Sequence, residues 1–491
     1  MISINKDNYF SYIIIPCILL FGCANNQSIT VKDIDIEIPD KWQTTIPSYE
    51  PLTGDWWSLF NDPKLEIFVK EIMQNSPDIK TILNNRKMAY QNAKINGSGV
   101  FPTLNSSINS TKSQQNLSGF GFGKFFSNIN GGQDSSATES NDEVITFDSE
   151  SFGLSLNLQW EIDVWGRALN GRRAAFKDYE SIDYELSYLA FSTIIRSAQT
   201  YFQAVEASEQ LKIAEESYAS LDKIRDLVQD RFKRGLKSSL DFRLAETSVS
   251  TAKIAIEDRK NQLHSFNRGL EIISGKYPIG LLVSNHVLPD TIPHISVGIP
   301  ADIITRRPDI KALILKVEAS GLNLSQAKRN LLPGIMLNGS VGTSATKLRD
   351  MLNKDNKVWS LGAGITTPLF NAGRLRTAVK IQESVVENSK QKLIQGLLLA
   401  FSEIETILYL EESIKVKIEA ISNAVSQSES AYLLSSERYD RGVTTLESVL
   451  NSQRQYNDIR SRYLTLKRQR IENRLSLLLA IGGSYESQTV N

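Results

Sequence analysis

FGLSLNLQWEIDVWGR, residues 152–167, is the stretch that decides the fold of this chain. Along residues 152–161, large apolar side chains alternate with glycine, serine, asparagine, glutamine and glutamate. A period of two is typical of a β-strand with one apolar and one polar face, and the span matches the roughly 9–11 residues of a tilted bilayer-crossing strand. The alternation stops at Gly166, where a long proline-free segment begins. The sequence therefore predicts a membrane strand that leads directly into a helix.

The same order of features occurs twice along the chain. Pro77 and Pro102 recur as Pro308 and Pro333, an offset of 231 in both cases (308 − 77 and 333 − 102). A second offset, of 207 residues, relates other positions of the two halves. Two constant offsets indicate an internal duplication. The extra residues of the first half fall in a stretch rich in Gly, Ser and Asn, residues 114–150, which we expect to form a long hairpin loop.

Glycines mark both ends of the second repeated block. Gly166 and Gly235 recur as Gly373 and Gly442, an offset of 207 (373 − 166 and 442 − 235). The interval between the glycines is 69 residues in each half (235 − 166 and 442 − 373), and neither interval contains proline. A helix of that length is about 100 Å long. Apolar residues follow at steps of three and four, which favours coiled-coil packing.

These patterns predict an α+β membrane protein with four transmembrane strands per chain and very long helices in two tandem repeats. The strands are expected at about residues 103–113, 151–164, 335–342 and 358–369. The predicted regions are a lipoprotein signal peptide (1–22), an extended arm (23–55), a first repeat (56–278), a connector (279–305), a second repeat (306–483) and a C-terminal tail (484–491).

The N-terminus carries a targeting signal. Its apolar run is about ten residues, which is too short to span a bilayer. The run ends in Leu-Phe-Gly-Cys at Cys23, which is similar to the site where bacterial lipoproteins are cleaved and acylated. We expect Cys23 to carry lipid, although an ordinary signal peptide with an incidental cysteine is the alternative. Two or three acyl chains would anchor the chain stably.

Composition excludes several function classes. Lys plus Arg equals Asp plus Glu, at 55 each, so charge favours neither nucleic acid nor an anionic surface. Three histidines and no nucleotide, metal or nucleophile motif indicate that the protein is not an enzyme and needs no metal or cofactor. Glu161 and Asp163 lie two apart on the polar face of a strand, where acids lining a water-filled lumen are expected rather than a hydrolase pair.

A sheet of four strands cannot close on itself in a membrane. An open edge in hydrocarbon leaves backbone groups unsatisfied, and known barrels begin at about eight strands. Because the predicted inner faces are small and polar, they suit a water-filled conduit, which needs more than eight strands. We therefore expect a homotrimer with a 12-stranded β-barrel that is continuous with a periplasmic barrel of helices.

Several sequence blocks in this order resemble the TolC/OprM class of outer membrane factors, in particular the NodT-type lipoproteins of RND efflux systems. The matching blocks are Cys23, residues 56–63, 160–167, 299–310, 332–333 and 368–374. The resemblance implies a trimeric, lipid-anchored channel of the outer membrane that works with a periplasmic membrane-fusion adaptor and an inner-membrane RND pump. It also implies passive export of small molecules through a gated tunnel.

The turns between the long helices are the first candidate site. The pattern Arg-Φ-x-Arg-Gly-Φ occurs at residues 231–236 and again at 438–443. Glycine and cations at the end of a helix are also what any helical turn favours. The resemblance implies that these turns contact the adaptor, through residues Arg231, Arg234, Gly235, Leu236, Arg438, Arg441, Gly442 and Val443.

A periplasmic gate is the second candidate site. By the same resemblance, polar residues around the second turn close the mouth of the channel: Tyr439, Asp440, Thr444, Glu447 and Asn451. Solvated polar helix ends are the alternative for this set. Two other functions also stay open at this point. One is the duct of a type I protein secretion system, and the other is a non-conducting periplasmic coiled-coil scaffold.

Overall fold

The structure is a computed structural model, and it describes residues 38–44, 55–116, 146–283, 286–290, 292, 295 and 297–482. Cys23, most of the predicted arm, the middle of the long hairpin loop and the C-terminal tail lie outside the described residues. The predicted lipid attachment at Cys23 therefore stays a prediction.

Long helices dominate the described part of the chain. Its α-helices are α1 (Pro63–Asn75), α2 (Pro77–Asn96), α3 (Arg167–Lys233), α4 (Ser239–Ile273), α5 (Asp302–Arg306), α6 (Pro308–Arg329), α7 (Arg374–Asp440) and α8 (Leu446–Ala480). Its strands are β1 (Thr103–Asn116), β2 (Thr146–Ile162), β3 (Gly334–Ala345) and β4 (Lys357–Thr366). Short 3₁₀ turns occur at Trp56–Phe60, Gly97–Val100, Leu348–Asp350 and Lys354–Asn356.

The two halves repeat each other residue by residue in their helical hairpins. Helices α3 and α7 both have 67 residues, and α4 and α8 both have 35. Each pair begins and ends at an offset of 207 (374 − 167, 440 − 233, 446 − 239 and 480 − 273). Helices α2 and α6 begin 231 residues apart (308 − 77), as do β1 and β3 (334 − 103). Both offsets predicted from the sequence are therefore present in the secondary structure.

The chain divides into two compact units that do not follow the halves. The first unit takes its described residues from 93–176 and 319–386, and the second takes them from 28–92, 177–318 and 387–491. Each unit thus contains parts of both predicted repeats. The assignment of 56–278 and 306–483 to separate repeats stays a prediction.

The first unit contains one antiparallel sheet with strand order β1-β2-β3-β4. Leu158 is opposite both Leu104 and Gly339, and Gly339 is opposite Leu361, so one apolar row crosses the sheet. On the other face, the Ser107 and Ser155 hydroxyls lie 2.9 Å apart. Strands β1 and β4 each have one edge without a partner strand among the described residues.

The ends of the strands differ from the predicted ends. Strand β1 continues to Asn116 and β2 begins at Thr146, so both ends of the predicted loop 114–150 belong to the sheet. The reason is that backbone pairing requires no apolar side chains and continues past the ion pair of Lys112 and Glu150. Strand β4 ends at Thr366 rather than near residue 369, because Pro368 has no N–H to donate.

The second unit contains the main hydrophobic core. Its largest fully buried side chains include Phe191, Phe202 and Leu65, which join the long helix α3 to α1. Asp62 caps α1 by accepting from the backbone N–H groups of Lys64 and Leu65, and Pro63 occupies the first helical position, where no N–H is needed. These contacts fix the start of the first repeat against the middle of α3.

Helices α3 and α8 contact each other through a row of polar side chains in this unit. Spacings of three, four or seven residues place all of them on one face of each helix. The pairs are Gln199 with Ser476 (3.1 Å), Gln203 with Glu472 (2.9 Å), Glu206 with Thr465 (2.6 Å) and Gln210 with Ser461 (2.8 Å).

Candidate functional site at the hairpin tips

Two turns connect the long helices, and both lie in the second unit. Tip 1 is residues 231–236, between α3 and α4, and tip 2 is residues 438–443, between α7 and α8. Gly235 and Gly442 adopt φ of 76° and 77°, the left-handed conformation that glycine reaches without steric cost. No other atom lies within 4 Å of a Cβ built on either glycine, so backbone conformation alone requires glycine there.

The two tips share one hydrogen-bond pattern. Leu236 N–H donates to the Arg231 carbonyl at 2.8 Å, and Val443 N–H donates to the Arg438 carbonyl at the same distance. This bond defines a helix end with glycine in the left-handed region. Side-chain oxygens of Ser238 and Thr445 then cap the following helices. The predicted turns are thus present, and they are explained by helix capping alone.

Tip 1 holds tip 2 through Arg231. Its guanidinium donates to the backbone carbonyls of Tyr439 and Asp440, each at 3.4 Å, and lies 3.5 Å from the Asp440 carboxylate. It also lies over the Tyr439 ring, 5.3 Å from the centroid. The ammonium of Lys237 lies 4.7 Å from the same centroid. Two cations from the first hairpin therefore hold one aromatic ring of the second.

A small hydrophobic cluster lies behind this contact. Its buried members come from both hairpins: Val228, Ala245, Tyr439, Leu446, Val449 and Leu450. Tyr439 is 2% exposed, and its hydroxyl has no hydrogen-bond partner among the described residues. Burial raises the pKa of Tyr439 against the opposing charge of Arg231. The tyrosine therefore stays neutral and acts mainly as an anchor between the hairpins.

The other predicted gate residues do not form one cluster. Asp440 contacts Arg231, whereas Glu447 and Asn451 are exposed on α8. Thr444 is half-buried in the turn. The structure thus brings Arg231, Tyr439 and Asp440 together. Among the described residues, no hydrogen bond or ion pair joins Thr444, Glu447 or Asn451 to these three.

The remaining predicted adaptor-contacting residues lie at the surface of the tips. Leu236 and Val443 are exposed apolar side chains. Arg234 pairs with Asp230 at 2.7 Å, and Arg441 pairs with Glu437, each within its own helix end. For Arg438, the described residues provide no ion pair.

Sequence reasoning did not single out several residues that join the hairpins. Lys237 follows tip 1 and contacts Tyr439. The hydroxyls of Ser220 and Tyr432 lie 2.7 Å apart, between α3 and α7. Within the first hairpin, the Phe232 ring of α3 and the Phe242 ring of α4 stack with their centroids 5.6 Å apart. The repeat at offset 207 could have identified Lys237 from the sequence, because Lys237 lies beside the repeated Arg-Gly pattern.

The sequence profile of the outer membrane efflux protein family matches residues 68–276 and 299–483 of this chain. This chain belongs to the outer membrane efflux protein family. The two matched segments together cover most of the chain and include both tips, so the resemblance predicted from the sequence blocks is confirmed.

Individual members of the outer membrane efflux protein family match along nearly the whole chain. The pyoverdine export outer membrane protein OpmQ of Pseudomonas putida is 25% identical over 463 residues, 94% of this chain and 95% of its own length. The cation efflux system protein CusC of Escherichia coli is 24% identical over 433 residues, 88% of each chain. The fold is similar to that of the Campylobacter jejuni CmeC outer membrane channel, with a TM-score of 0.80, 21% identity and coverage of 93% and 94%.

Proposed function

We propose that this chain forms the outer-membrane duct of a tripartite RND-type efflux pump. Three copies make a passive channel through which small molecules supplied by an inner-membrane pump and a periplasmic adaptor leave the cell. The observation that carries the proposal is a sheet with two open edges, on a chain whose family consists of outer membrane efflux proteins. The duct performs no catalysis, so the partner pump provides the energy.

The open sheet edges support association of several copies. In a bilayer, each unpaired N–H or C=O on β1 and β4 costs free energy, because hydrocarbon offers no hydrogen bonds. Pairing β4 of one copy with β1 of the next removes both edges. Three copies give twelve strands, which leaves room for water inside the barrel. The hydroxyl-rich face with Ser107, Ser155, Ser340 and Ser360 supplies a polar lining for it.

The helices provide a second, independent reason for association. In α3, the face with Gln203 and Gln210 contacts α8. The corresponding residues of α7, at offset 207, are Leu410 and Lys417, and both are exposed in the single chain. On α4, the residue that corresponds to Ser461 of α8 is Ile254, which is also exposed.

We therefore assign these two faces to each other in neighbouring copies. The face of α7 consists of Thr406, Leu410, Ser413 and Lys417, and the face of α4 consists of Ile254, Asp258, Asn261 and Ser265. The charges are compatible, since Lys417 would lie near Asp258. Exposed apolar side chains along α7, such as Leu398 and Leu399, would be covered at the same time.

Cross-linking of paired cysteines tests the arrangement of the trimer. In Ile254→Cys/Lys417→Cys, a short bismaleimide should link purified, detergent-extracted protein into dimers and trimers. The control pair Ser461→Cys/Gln210→Cys contacts within one chain and should give only internally linked monomers. A monomeric first variant, together with a silent planar bilayer, would contradict both the trimer and the duct and would favour a non-conducting scaffold.

The names of the matched relatives support small-molecule efflux over type I protein secretion. One relative is named for pyoverdine export and another for cation efflux. Because those substrates are chemically unrelated, the substrate of this duct follows from its pump. Measuring drug and metal susceptibility in cells that lack this gene would test the efflux role. Loss of a secreted protein with unchanged susceptibility would favour secretion instead.

Anchoring by lipid at Cys23 is part of the proposal. The support is the Leu-Phe-Gly-Cys sequence at the end of a short apolar run. Metabolic labelling with an alkynyl palmitate analogue should mark the wild-type protein and leave Cys23→Ser unlabelled. Equal labelling of both proteins would place the lipid elsewhere and remove Cys23 from the proposal.

We also assign adaptor contact to the two tips and gating to the residues around tip 2. Support for the first assignment comes from the exposed side chains of Leu236 and Val443, which leave an apolar group at the end of each hairpin. Support for the second is the contact of Arg231 with Asp440. Leu236→Asp/Val443→Asp should reduce co-purification of the adaptor without changing trimer formation.

A further inference from the structure

We infer that one end of the sheet binds the phosphate groups of anionic phospholipids, in the membrane leaflet nearer to the helices. The surface is a group of six cations, here called the cationic collar: Arg172, Arg173, Arg329, Arg374, Arg376 and Lys380. This inference rests on the proposed placement of the sheet in the outer membrane and adds a lipid partner to it.

The collar lies where the four strands of the sheet connect to helices. Strands β1 and β3 begin at this end, and strands β2 and β4 finish there. In the ladder, Ile162 near the end of β2 is opposite Ile335, and Gly334 is opposite Thr366. The segments that continue from this end all belong to the first unit: residues 93–102, 163–176, 319–333 and 367–386.

Trp160 and Phe101 connect the collar to the apolar face of the sheet. Trp160 belongs to the apolar row of β2, and its indole N–H donates to the Val100 carbonyl at 3.1 Å. The next residue, Phe101, is exposed, and the Arg172 guanidinium lies 5.1 Å from its ring centroid. Tryptophan at the end of a membrane-facing row is typical of the boundary between acyl chains and water. Arg172 therefore lies at the level where phosphate groups occur, and a guanidinium can donate two hydrogen bonds to a phosphate.

Large apolar side chains are exposed at the same end of the sheet. Leu369 and Phe370, between β4 and α7, are 93% and 90% exposed, and Leu332 before β3 is also exposed. Apolar surface of this kind is unfavourable in water and suits a membrane or another apolar partner. Cations follow these side chains directly, at Arg374 and Arg376. An apolar layer next to a cationic layer matches the acyl chains and the phosphates of one leaflet.

The charges of the collar are not neutralised within the chain. Among the described residues, none of the six collar cations forms an ion pair, although Lys plus Arg equals Asp plus Glu in the whole chain. The three acids at this end of the sheet have partners outside the collar. These are Glu161 with the Arg167 guanidinium (2.8 Å), Asp163 with the Leu169 backbone N–H (2.7 Å) and Glu383 with the Lys328 ammonium (3.8 Å). The collar is therefore free to bind an external anion.

Both repeats supply the collar at equivalent positions. Arg173 and Lys380 are 207 residues apart (380 − 173), and both are exposed. Each follows the start of its helix by six residues, which is about 9 Å along the axis. The headgroup layer of one leaflet is roughly 5–8 Å thick, and the long side chains of lysine and arginine extend their charge toward it. The phosphates are therefore within reach of both repeats.

Quenching of tryptophan fluorescence in reconstituted vesicles tests the collar. Trp160 and Trp359 lie in the apolar rows of β2 and β4, so phospholipids with brominated acyl chains should quench them. Vesicles that mix phosphatidylglycerol and phosphatidylcholine, with either one brominated, give the relative binding constant of the two lipids. The wild type should prefer phosphatidylglycerol about fivefold or more, because each cation near an anionic surface contributes on that order. Raising KCl from about 0.1 M to about 1 M should reduce the preference, because it shortens the screening length from ~10 Å to ~3 Å.

Removing three exposed collar cations should abolish most of this preference. In Arg173→Gln/Arg376→Gln/Lys380→Gln, the preference for phosphatidylglycerol should fall to about twofold or less. Arg173→Lys/Arg376→Lys keeps the charges and should retain most of the preference, which separates charge from packing. Unchanged quenching of both variants by brominated phosphatidylcholine would show that they are folded and inserted.

A matched control makes the same change of net charge away from the sheet. Lys223→Gln/Lys253→Gln/Lys392→Gln removes three exposed cations of the long helices and should keep the wild-type preference. Equal losses in the control and the collar variant would overturn the inference, as would a wild type that binds both lipids equally. Inorganic phosphate, added at constant ionic strength, should leave the preference unchanged. If phosphate removed the preference, the collar would be a site for a soluble anion, and lipid docking would be rejected.

The same measurement distinguishes failure of this inference from failure of the proposed function. Equal quenching by the two brominated lipids would reject the collar and leave the sheet in the membrane. Absence of quenching by either lipid would instead reject the placement of the sheet in a bilayer, and with it the proposed duct.

Discussion

The two long helices α3 and α7 have the same length and repeated ends, yet they present different surfaces. Phe202 of α3 is fully buried, whereas Tyr409, its counterpart in α7, is 74% exposed. Likewise Phe191 is buried and its counterpart Leu398 is exposed. The duplication thus preserved the backbone and the aromatic or apolar character of these positions, while their neighbours changed.

This difference separates the contacts that α3 makes within one chain from the contacts that we expect α7 to make between copies. The core around α3 is completed within the chain by α1 and the Trp56–Phe60 turn. Tyr409 and Leu398 of α7 have no such cover among the described residues. Apolar side chains in a periodic row on a long helix are typical of helix–helix contacts. We therefore expect substitutions in α3 to act on folding and equivalent substitutions in α7 to act on association.

Phe202→Ala and Tyr409→Ala compare these positions directly and should give the largest difference. Phe202→Ala removes a fully buried ring and should lower the free energy of unfolding by about 3–5 kcal/mol. Tyr409→Ala should leave the folding of the chain nearly unchanged and reduce the trimer fraction. Thermal denaturation by circular dichroism measures the first quantity, and analytical ultracentrifugation in detergent measures the second. Equal losses of helix stability in both variants would contradict the division between core and interface.

The two halves also differ at Arg307, because the equivalent residue of the first half, at offset 231, is Ser76. Its guanidinium donates to Asp309 and Glu403 at 2.8 Å and to the Ala480 carbonyl at 3.0 Å. Burial opposes its charge, but these partners outweigh burial and raise the pKa of Arg307. The arginine thereby joins α6, α7 and the end of α8.

Arg307→Ala should lower the free energy of unfolding by about 2–3 kcal/mol. This loss is smaller than that expected from breaking a fully buried ion pair, because Glu403 is partly exposed. Arg307→Lys should be intermediate, since lysine keeps the charge but not the planar fork. Ser76→Ala is the matched control. The Ser76 hydroxyl is buried without a hydrogen-bond partner among the described residues, so its removal should be neutral or slightly stabilising. Denaturant titration of the three variants would check this order.

The sequence predicted the hairpins well because local signals define their ends. Gly235 and Gly442 stop the long helices, and the absence of proline leaves no break inside them. By contrast, β1 carries few apolar side chains beyond Leu104 and Ile108, and its end at Asn116 depends on pairing with β2. Pairing continues after the apolar pattern has ended, so side-chain alternation could not locate that end.

At the tips, the sequence could predict the turns but not the contact between them. The bond from Arg231 to the Tyr439 carbonyl joins residues 208 apart in sequence. Nothing in the local pattern around Tyr439 indicates that its side chain is buried beneath cations of the first hairpin. The predicted grouping of Tyr439 with Glu447 and Asn451 followed the family resemblance, and it stays a proposal for the assembled channel.

The two tip glycines should respond equally to substitution. Gly235→Ala and Gly442→Ala each place a Cβ at positive φ, which costs about 1–2 kcal/mol, and no neighbouring atom would clash in either case. Hydrogen exchange at the last turn of α3 and of α7 should therefore accelerate by similar factors. A much larger effect at one tip would reveal a contact that distinguishes the halves.

The smallest expected effect concerns the charges between α7 and α4. Lys417 corresponds to Gln210, which contacts α8 within the chain, so we place Lys417 near Asp258 of the neighbouring copy. Lys417→Glu should weaken the trimer by about 0.2–1 kcal/mol per interface, as expected for an exposed ion pair, and Lys417→Glu/Asp258→Lys should restore it. The control is Lys415→Glu, two residues away and therefore on another face of α7. Trimer dissociation followed at low and high salt would measure all three variants. Recovery in the double variant, together with no loss in Lys415→Glu, would locate the interface at this pair. Lys415→Glu tests for a general effect of charge, because the two reversals of the double variant cancel in net charge.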